Sequence, residues 1–190
     1  MHIRIYIVLI LGLTLVSCNE ESKVENEIAN IEANFIIERF DKAFFKASSK
    51  DLPQLKQAYP FLFSKHVPDS ILLKRMNDPL LNELLVEVDK TYPNLLNTKE
   101  ELEGLFKHLK YYDQTFKLPR VITLTNDIDY RNKTITTDSL VLIALDNFLG
   151  SEHMFYENIP NYLTDNMGES QIITNVAEGY AKNYVFQSSR

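Results

Sequence analysis

The chain has a single cysteine, Cys18, only five glycines and no segment of low complexity. One thiol excludes an intramolecular disulfide, so the fold must rest on its core. There is no Gly-rich loop to cradle a phosphate, and neither G-x-S-x-G nor S-x-x-K occurs in a supporting context. Basic residues are the minority, 20 against 26 acidic. Nucleic acid wants the opposite balance, and so does adhesion to anionic lipid through charge alone. The N-terminal apolar run, Ile5 to Val16, is interrupted only by Gly12 and Thr14. At about 12 residues it falls short of the ~20 that a membrane-spanning helix needs.

That run has the make-up of an export signal. Arg4 supplies the positive charge before it, and no acid occurs within it. Leu15-Val16-Ser17-Cys18 follows and resembles the bacterial lipobox. The resemblance implies cleavage between Ser17 and Cys18, with acyl chains placed on the sulfur and the new amine of Cys18. Each buried methylene is worth about 0.8 kcal/mol, so several chains anchor durably. An ordinary signal sequence or buried anchor with an incidental cysteine is the alternative. Residues 1–17 are thus read as a lipoprotein signal peptide, 18–27 as an acidic tether, and 28–190 as the folded domain. Loss of Arg4 with the signal leaves 19 basic and 26 acidic residues, a net charge of −7 over 173 residues. That length suits one domain.

The expected fold class is α+β, mainly helical with a small β-hairpin or sheet. Ile28, Ile31, Phe35, Phe40 and Phe44 recur near a 3.6 period and predict a helix over 28–50. Asp51 and Pro53 open a second helix, and Tyr59-Pro60 stops it. Residues 70–90 carry a broad apolar stripe split at Asp78-Pro79. Thr98 and Glu101 form a capping box that opens a helix over 98–111. The period then shortens. Residues 120–126 and 134–145 are rich in β-branched residues and predict a hairpin, or two neighbouring strands, with the turn near Tyr130–Lys133. Residues 146–165 read as a punctuated loop with short helical pieces, and 170–186 as a last helix.

Six segments share one ordering: IERFDKAFF (37–45), YPFLFSKHVPD (59–69), LFKHLKYY (105–112), LPRVITLTND (118–127), DSLVLIALDNFLGSEHMFYENIPNYL (138–163) and SQIITNVAEGYAK (170–182). With the lipobox they resemble the gliding-motility-associated lipoprotein family GldB, the run from Ile143 to Leu163 most specifically. Family members continue beyond this C-terminus, so the chain reads as a short version. The resemblance implies a cell-envelope lipoprotein of a Bacteroidetes-type bacterium. It would be lipid-anchored at a membrane, the outer membrane first, on its periplasmic side or at the cell surface. Its partners would be that membrane, through the lipid, and other gliding or secretion proteins of the envelope. No nucleic acid, small-molecule substrate or cofactor is implied beyond the covalent acyl groups on Cys18.

The family is similar in layout to zincin-type metallopeptidases, in which a strand lies beside the cleft and a helix carries H-E-x-x-H. Two histidines at i and i+4 share a helical face and reach one metal, and the Glu activates its water. The matching stretch here is Ala177-Glu178-Gly179-Tyr180-Ala181. The Glu stays, both histidines are gone, and zinc has no ligands. The resemblance therefore implies a non-enzymatic scaffold or interaction role, with Glu178 a solvated carboxylate. Asp146, Phe148, Phe155, Tyr156 and Tyr162 are the candidate partner-binding residues, core packing claiming at least half of the aromatics. The edge of residues 134–145 is a candidate for strand addition. The competing reading is an envelope hydrolase built from Asp146, Glu152, His153 and Glu178; a truncated inactive copy is a third. His66, His108 and His153 have no partner at metal-ligand spacing. Asp127 and Asp129 form an acidic turn that oxygen-seeking cations also favour.

Overall fold

A computed structural model describes residues 19–184. The signal segment, Ser17 and Cys18 lie outside the described residues. Among those described, eight helices flank one four-stranded sheet, the mainly helical α+β arrangement expected.

The sheet is mixed. Its strands are β1 (Ile37–Arg39), β2 (Arg120–Leu124), β3 (Thr134–Thr136) and β4 (Leu140–Ala144), in the spatial order β1-β2-β4-β3. β1, β2 and β4 are parallel, with Ile37 opposite Val121 and Val121 opposite Val141. β3 runs antiparallel to β4, with Ile135 opposite Leu142. Helices cover both faces, and the period of two sorts the strand residues between them. Val121, Val141 and Ile143 face one core, which they share with α5 (Pro79–Thr91), α6 (Leu96–Tyr112) and α8 (Gln171–Tyr184). Ile122, Leu124, Leu140 and Leu142 face the other, with α2 (Phe40–Lys46), α3 (Leu52–Ala58) and α4 (Asp69–Met76). Burial of β4 on two sides explains its uninterrupted apolar run.

The predicted hairpin is corrected. Residues 120–124 and 140–144 are neighbours, yet parallel, and parallel strands need a long crossover. Residues 125–139 supply it, and β3 forms on the way. The run 134–145 is two strands joined by a tight turn. There the Thr137 N–H donates to Leu140 O at 2.8 Å, and Thr137 Oγ1 accepts from Leu140 N at 3.0 Å. Asp138-Ser139 was the turn signal, masked by β-branched neighbours.

The single helix predicted over 28–50 is also corrected. Helix α1 (Asn19–Ala29) ends with the Asn30 side chain donating to Asn26 O at 2.8 Å. The chain then runs extended into β1, and α2 starts at Phe40. Phe35, Phe40 and Phe44 are core-packed as their spacing required, but the demand for a third parallel strand overrides the helical period. Residues 19–27, acidic in composition, make up most of α1. It lies along α6, with Tyr111 Oη donating to Glu27 at 3.0 Å and Lys107 to Ala29 O at 3.4 Å, and Lys110 holds the segment just after it through Glu32 O at 2.7 Å.

Helix ends follow local chemistry. Asp78 caps α5 through Leu80 N (2.9 Å) and Leu81 N (3.2 Å), with Pro79 in the first turn. Asp51 instead turns back to accept from the Ser48 N–H and hydroxyl, at 2.8 and 2.7 Å. The Thr98 capping box does not form. Helix α6 begins two residues earlier, at Leu96, whose N–H donates to Asn94 Oδ1 at 3.2 Å, while Thr98 is buried.

Candidate functional site

In open parallel sheets, ligands lie at the carboxyl ends of the strands. Here the ends of β2 and β4 lead into two loops that lock together around Asp146. Its carboxylate accepts from Asn126 N at 3.2 and 3.1 Å and from Ile128 N at 2.8 Å. Burial pushes this carboxyl up to about 6, against the pull of those N–H groups. The loop it braces is strained, with Asp127 and Ile128 at φ 60° and 59°. The left-handed region is unusual for a β-branched residue and costs on the order of 1–3 kcal/mol. Arg75 of α4 secures the same loop through a bidentate pair with Asp127, at 2.7 and 2.6 Å. The Asn126 amide donates to Asn132 O at 2.9 Å and accepts from Asn147 at 2.7 Å.

The segment after β4 is closed on itself. The Tyr156 hydroxyl accepts from Leu149 N at 3.0 Å and donates to Asp146 O at 2.7 Å. Tyr92 Oη donates to Phe148 O. Asp146, Phe148 and Tyr156 are therefore sealed in the interior, and as candidate contact residues they are corrected: no partner reaches them in this conformation. Phe155 packs on the core's margin, stacked at 5.7 Å on His153. Tyr162, 72% exposed on the short helix α7 (Asn161–Thr164), is the aromatic of this set that faces solvent.

The four residues of the hydrolase reading do not converge. Asp146 is occupied by backbone amides. His153 Nδ1 accepts from Phe155 N, and its Nε2 lies 3.5 Å from Glu87. Glu152 is exposed. Glu178 forms an exposed i,i+4 pair with Lys182 at 2.9 Å. Among the described residues no three His, Cys, Asp or Glu side chains are placed to hold a metal. His66 is exposed, and His108 Nδ1 is 2.8 Å from Gly104 O. Asp127 is taken by Arg75, and Asp129 accepts from Arg131 N and the Asn132 amide, at 3.2 and 2.7 Å. Both acids thus serve the turn.

One cluster has no counterpart in the sequence reading. At the ends of β1 and β2, Asp41 is fully enclosed. It receives Arg39 Nε at 3.0 Å on each oxygen, Arg39 Nη2 at 2.7 Å and Thr123 Oγ1 at 2.6 Å. Arg39 also donates to Tyr92 O at 3.0 Å, tying the two cores together. Beside it lies a cavity of about 170 Å³ walled by Phe40, Phe44, Phe63 and Leu72, with Asp41 and Arg75 at its margin. Both charges already have partners, so the cavity offers apolar contact and no reactive group. The aromatic density of FDKAFF and YPFLF was the signal for it.

Helix α8 lies against the edge strand β3, with Gly179 packed on Thr136. These features define a mainly helical α+β domain: two helical layers around a short mixed sheet, and no helix among the described residues long and apolar enough to cross a membrane. A family model described as "Gliding motility protein GldB" matches residues 21–190, and the chain belongs to this family of gliding-motility lipoproteins. No curated protein and no solved structure matches the chain.

Proposed function

We propose that the protein is a lipid-anchored, non-catalytic component of the cell envelope that supports the gliding machinery by docking another envelope protein. The family match over residues 21–190 is the observation that carries this reading. The lipobox supports anchoring through acyl groups on Cys18, and the Ala177-Glu178-Gly179-Tyr180-Ala181 sequence supports a role without zinc chemistry.

The docking element is the edge of β3. Lys133 O accepts from Ala144 N, and Thr137 N donates to Leu140 O. The alternation of an antiparallel ladder then turns the backbone groups of Thr134 and Thr136 outward. Ile135 is 47% exposed beside them. An extended segment of a partner adds there as a fifth strand, its main chain giving affinity and its side chains specificity.

The test is complementation of a deletion strain with Cys18→Ala, Thr134→Pro, which removes an outward N–H, and Glu178→Ala, each checked for protein level. Gliding is expected to fail with the first two and to persist with the third. Loss of gliding with Glu178→Ala at normal protein level, together with stoichiometric metal in the purified protein, would instead establish an enzyme.

A further inference from the structure

The outer edge of β3 is unguarded. Thr134-Ile135-Thr136-Thr137 holds neither a proline nor a charge, the usual devices that blunt a strand edge. Thr136 packs on Gly179 of α8, so by the period of two Ile135 points to the other face of the sheet. There it stands 47% exposed, opposite a half-buried Leu142.

The flanks of this strand carry opposite signs. Arg131 and Lys133 precede it, and Asp138 follows it. Lys133 donates to Asn166 O at 2.9 Å, and Arg131 lies over its own Tyr130 ring at 5.0 Å. Arg131 and Asp138 are exposed, and neither joins an ion pair among the described residues.

On the reading of β3 as the docking edge, we infer that its first occupant is β3 of a second copy of this chain, paired antiparallel about a two-fold axis at Ile135. A strand from any other protein then reaches the edge by displacing that copy. The outward backbone groups belong to Thr134 and Thr136, which flank Ile135 symmetrically. The axis sets Thr134 of one copy against Thr136 of the other, and every outward N–H meets an outward C=O. Ile135 meets Ile135 of the second copy in a non-hydrogen-bonded pair, with Cα atoms about 4.5 Å apart and side chains in contact. An apolar row then crosses the joined sheet, Leu142 and Ile135 of one copy followed by Ile135 and Leu142 of the other. The same axis brings Arg131 and Lys133 beside Asp138 of the second copy at both ends. Parallel pairing would set like charges together and is disfavoured.

The test places a thiol on the axis. Full-length Ile135→Cys is expressed in the native host, and its membranes are oxidised with copper–phenanthroline. The expected Cα separation falls within the roughly 4.4–6.8 Å span of a disulfide. A product of twice the chain mass should form, linked between the two introduced thiols by peptide mass spectrometry. It should exceed by about tenfold the product of wild type, which has Cys18 alone, and that of Tyr162→Cys on exposed α7. Adding Asp138→Lys should cut it about fivefold. Co-expression with a differently tagged Ile135→Cys, Arg131→Asp copy should restore the mixed product. A yield no higher than that of Tyr162→Cys, a link to some other protein in place of the doubled chain, or no effect of Asp138→Lys would overturn the inference. Thr134→Pro separates it from the docking reading. If no doubled chain forms while Thr134→Pro abolishes gliding, the edge binds another protein and the second copy is ruled out. If the doubled chain forms while the Thr134→Pro strain glides, the second copy stands and the docking reading falls.

Discussion

Gly179 of α8 and Thr136 of β3 approach so closely that a Cβ at position 179 would lie 2.9 Å from Thr136 Cγ2, and nearer still to its Oγ1. In an exposed helix interior, alanine in place of glycine gains about 1 kcal/mol. Here the sign reverses. Gly179→Ala is expected to destabilise by about 1–3 kcal/mol, because α8 must lift from the sheet face that carries the Thr136 side chain. Adding Thr136→Ala should restore most of the loss, and a double-mutant cycle by urea unfolding measures the coupling.

The buried Asp146 sets a pH dependence of unusual sign. Its folded-state value, about 6, lies above the ordinary aspartate value of 3.8. Between these values the folded state holds the extra proton, so stability from this group falls as pH rises from about 4 to 6 and is regained on acidification. The full effect is about 3 kcal/mol at 1.36 kcal/mol per unit. Glu38, whose carboxyl Arg120 holds low, Asp129 and Asp113 act in the opposite direction below about pH 4.5. The difference between wild type and Asp146→Asn isolates the term. It should grow in favour of wild type as pH drops through 6 and level off near 4, in urea unfolding at constant ionic strength.

Asp41 is enclosed by donors from Arg39 and Thr123. Asp41→Ala leaves the Arg39 guanidinium with Asp89 at 3.3 Å and the Tyr92 carbonyl at 3.0 Å, and about 3 kcal/mol, the low end for a broken buried pair, should be lost. Replacing Thr123 with valine removes a single donor and should cost about 1–2 kcal/mol. Comparable losses in the two variants would contradict a charge-centred network.

Arg75 and Asp127 form a bidentate pair, but both side chains are more than a third exposed. Arg75→Ala should cost less than about 1 kcal/mol, and the cost should shrink with salt. A loss of several kcal/mol would show that Arg75, more than Asp146, holds the strained Asp127-Ile128 backbone in place.

Much of this fold is legible in the residues. The apolar period located α5, α6 and α8, and Asp78-Pro79 marked a helix start that the structure repeats. Tertiary demand hid the rest. Ile37–Arg39 fits a helical stripe, yet the sheet recruits it as a strand. β-branched composition reports strands without reporting their direction, so a parallel crossover looked like a hairpin. The site behaves likewise. The aromatics of residues 146–163 were visible as a cluster, but burial divided them, leaving Tyr162 outside and Phe148 within. Asp41 escaped notice because a single acid between phenylalanines gives no spacing to read; only the fold brings Thr123 to it.

Membrane attachment through Cys18 is the step on which the envelope role depends, and intact-mass analysis of protein purified from its native host tests it directly. The expected species begins at Cys18 and is heavier than residues 18–190 by a diacylglyceryl group and a further acyl chain. A species that retains residues 1–17, or one with an unmodified thiol at position 18, would contradict it.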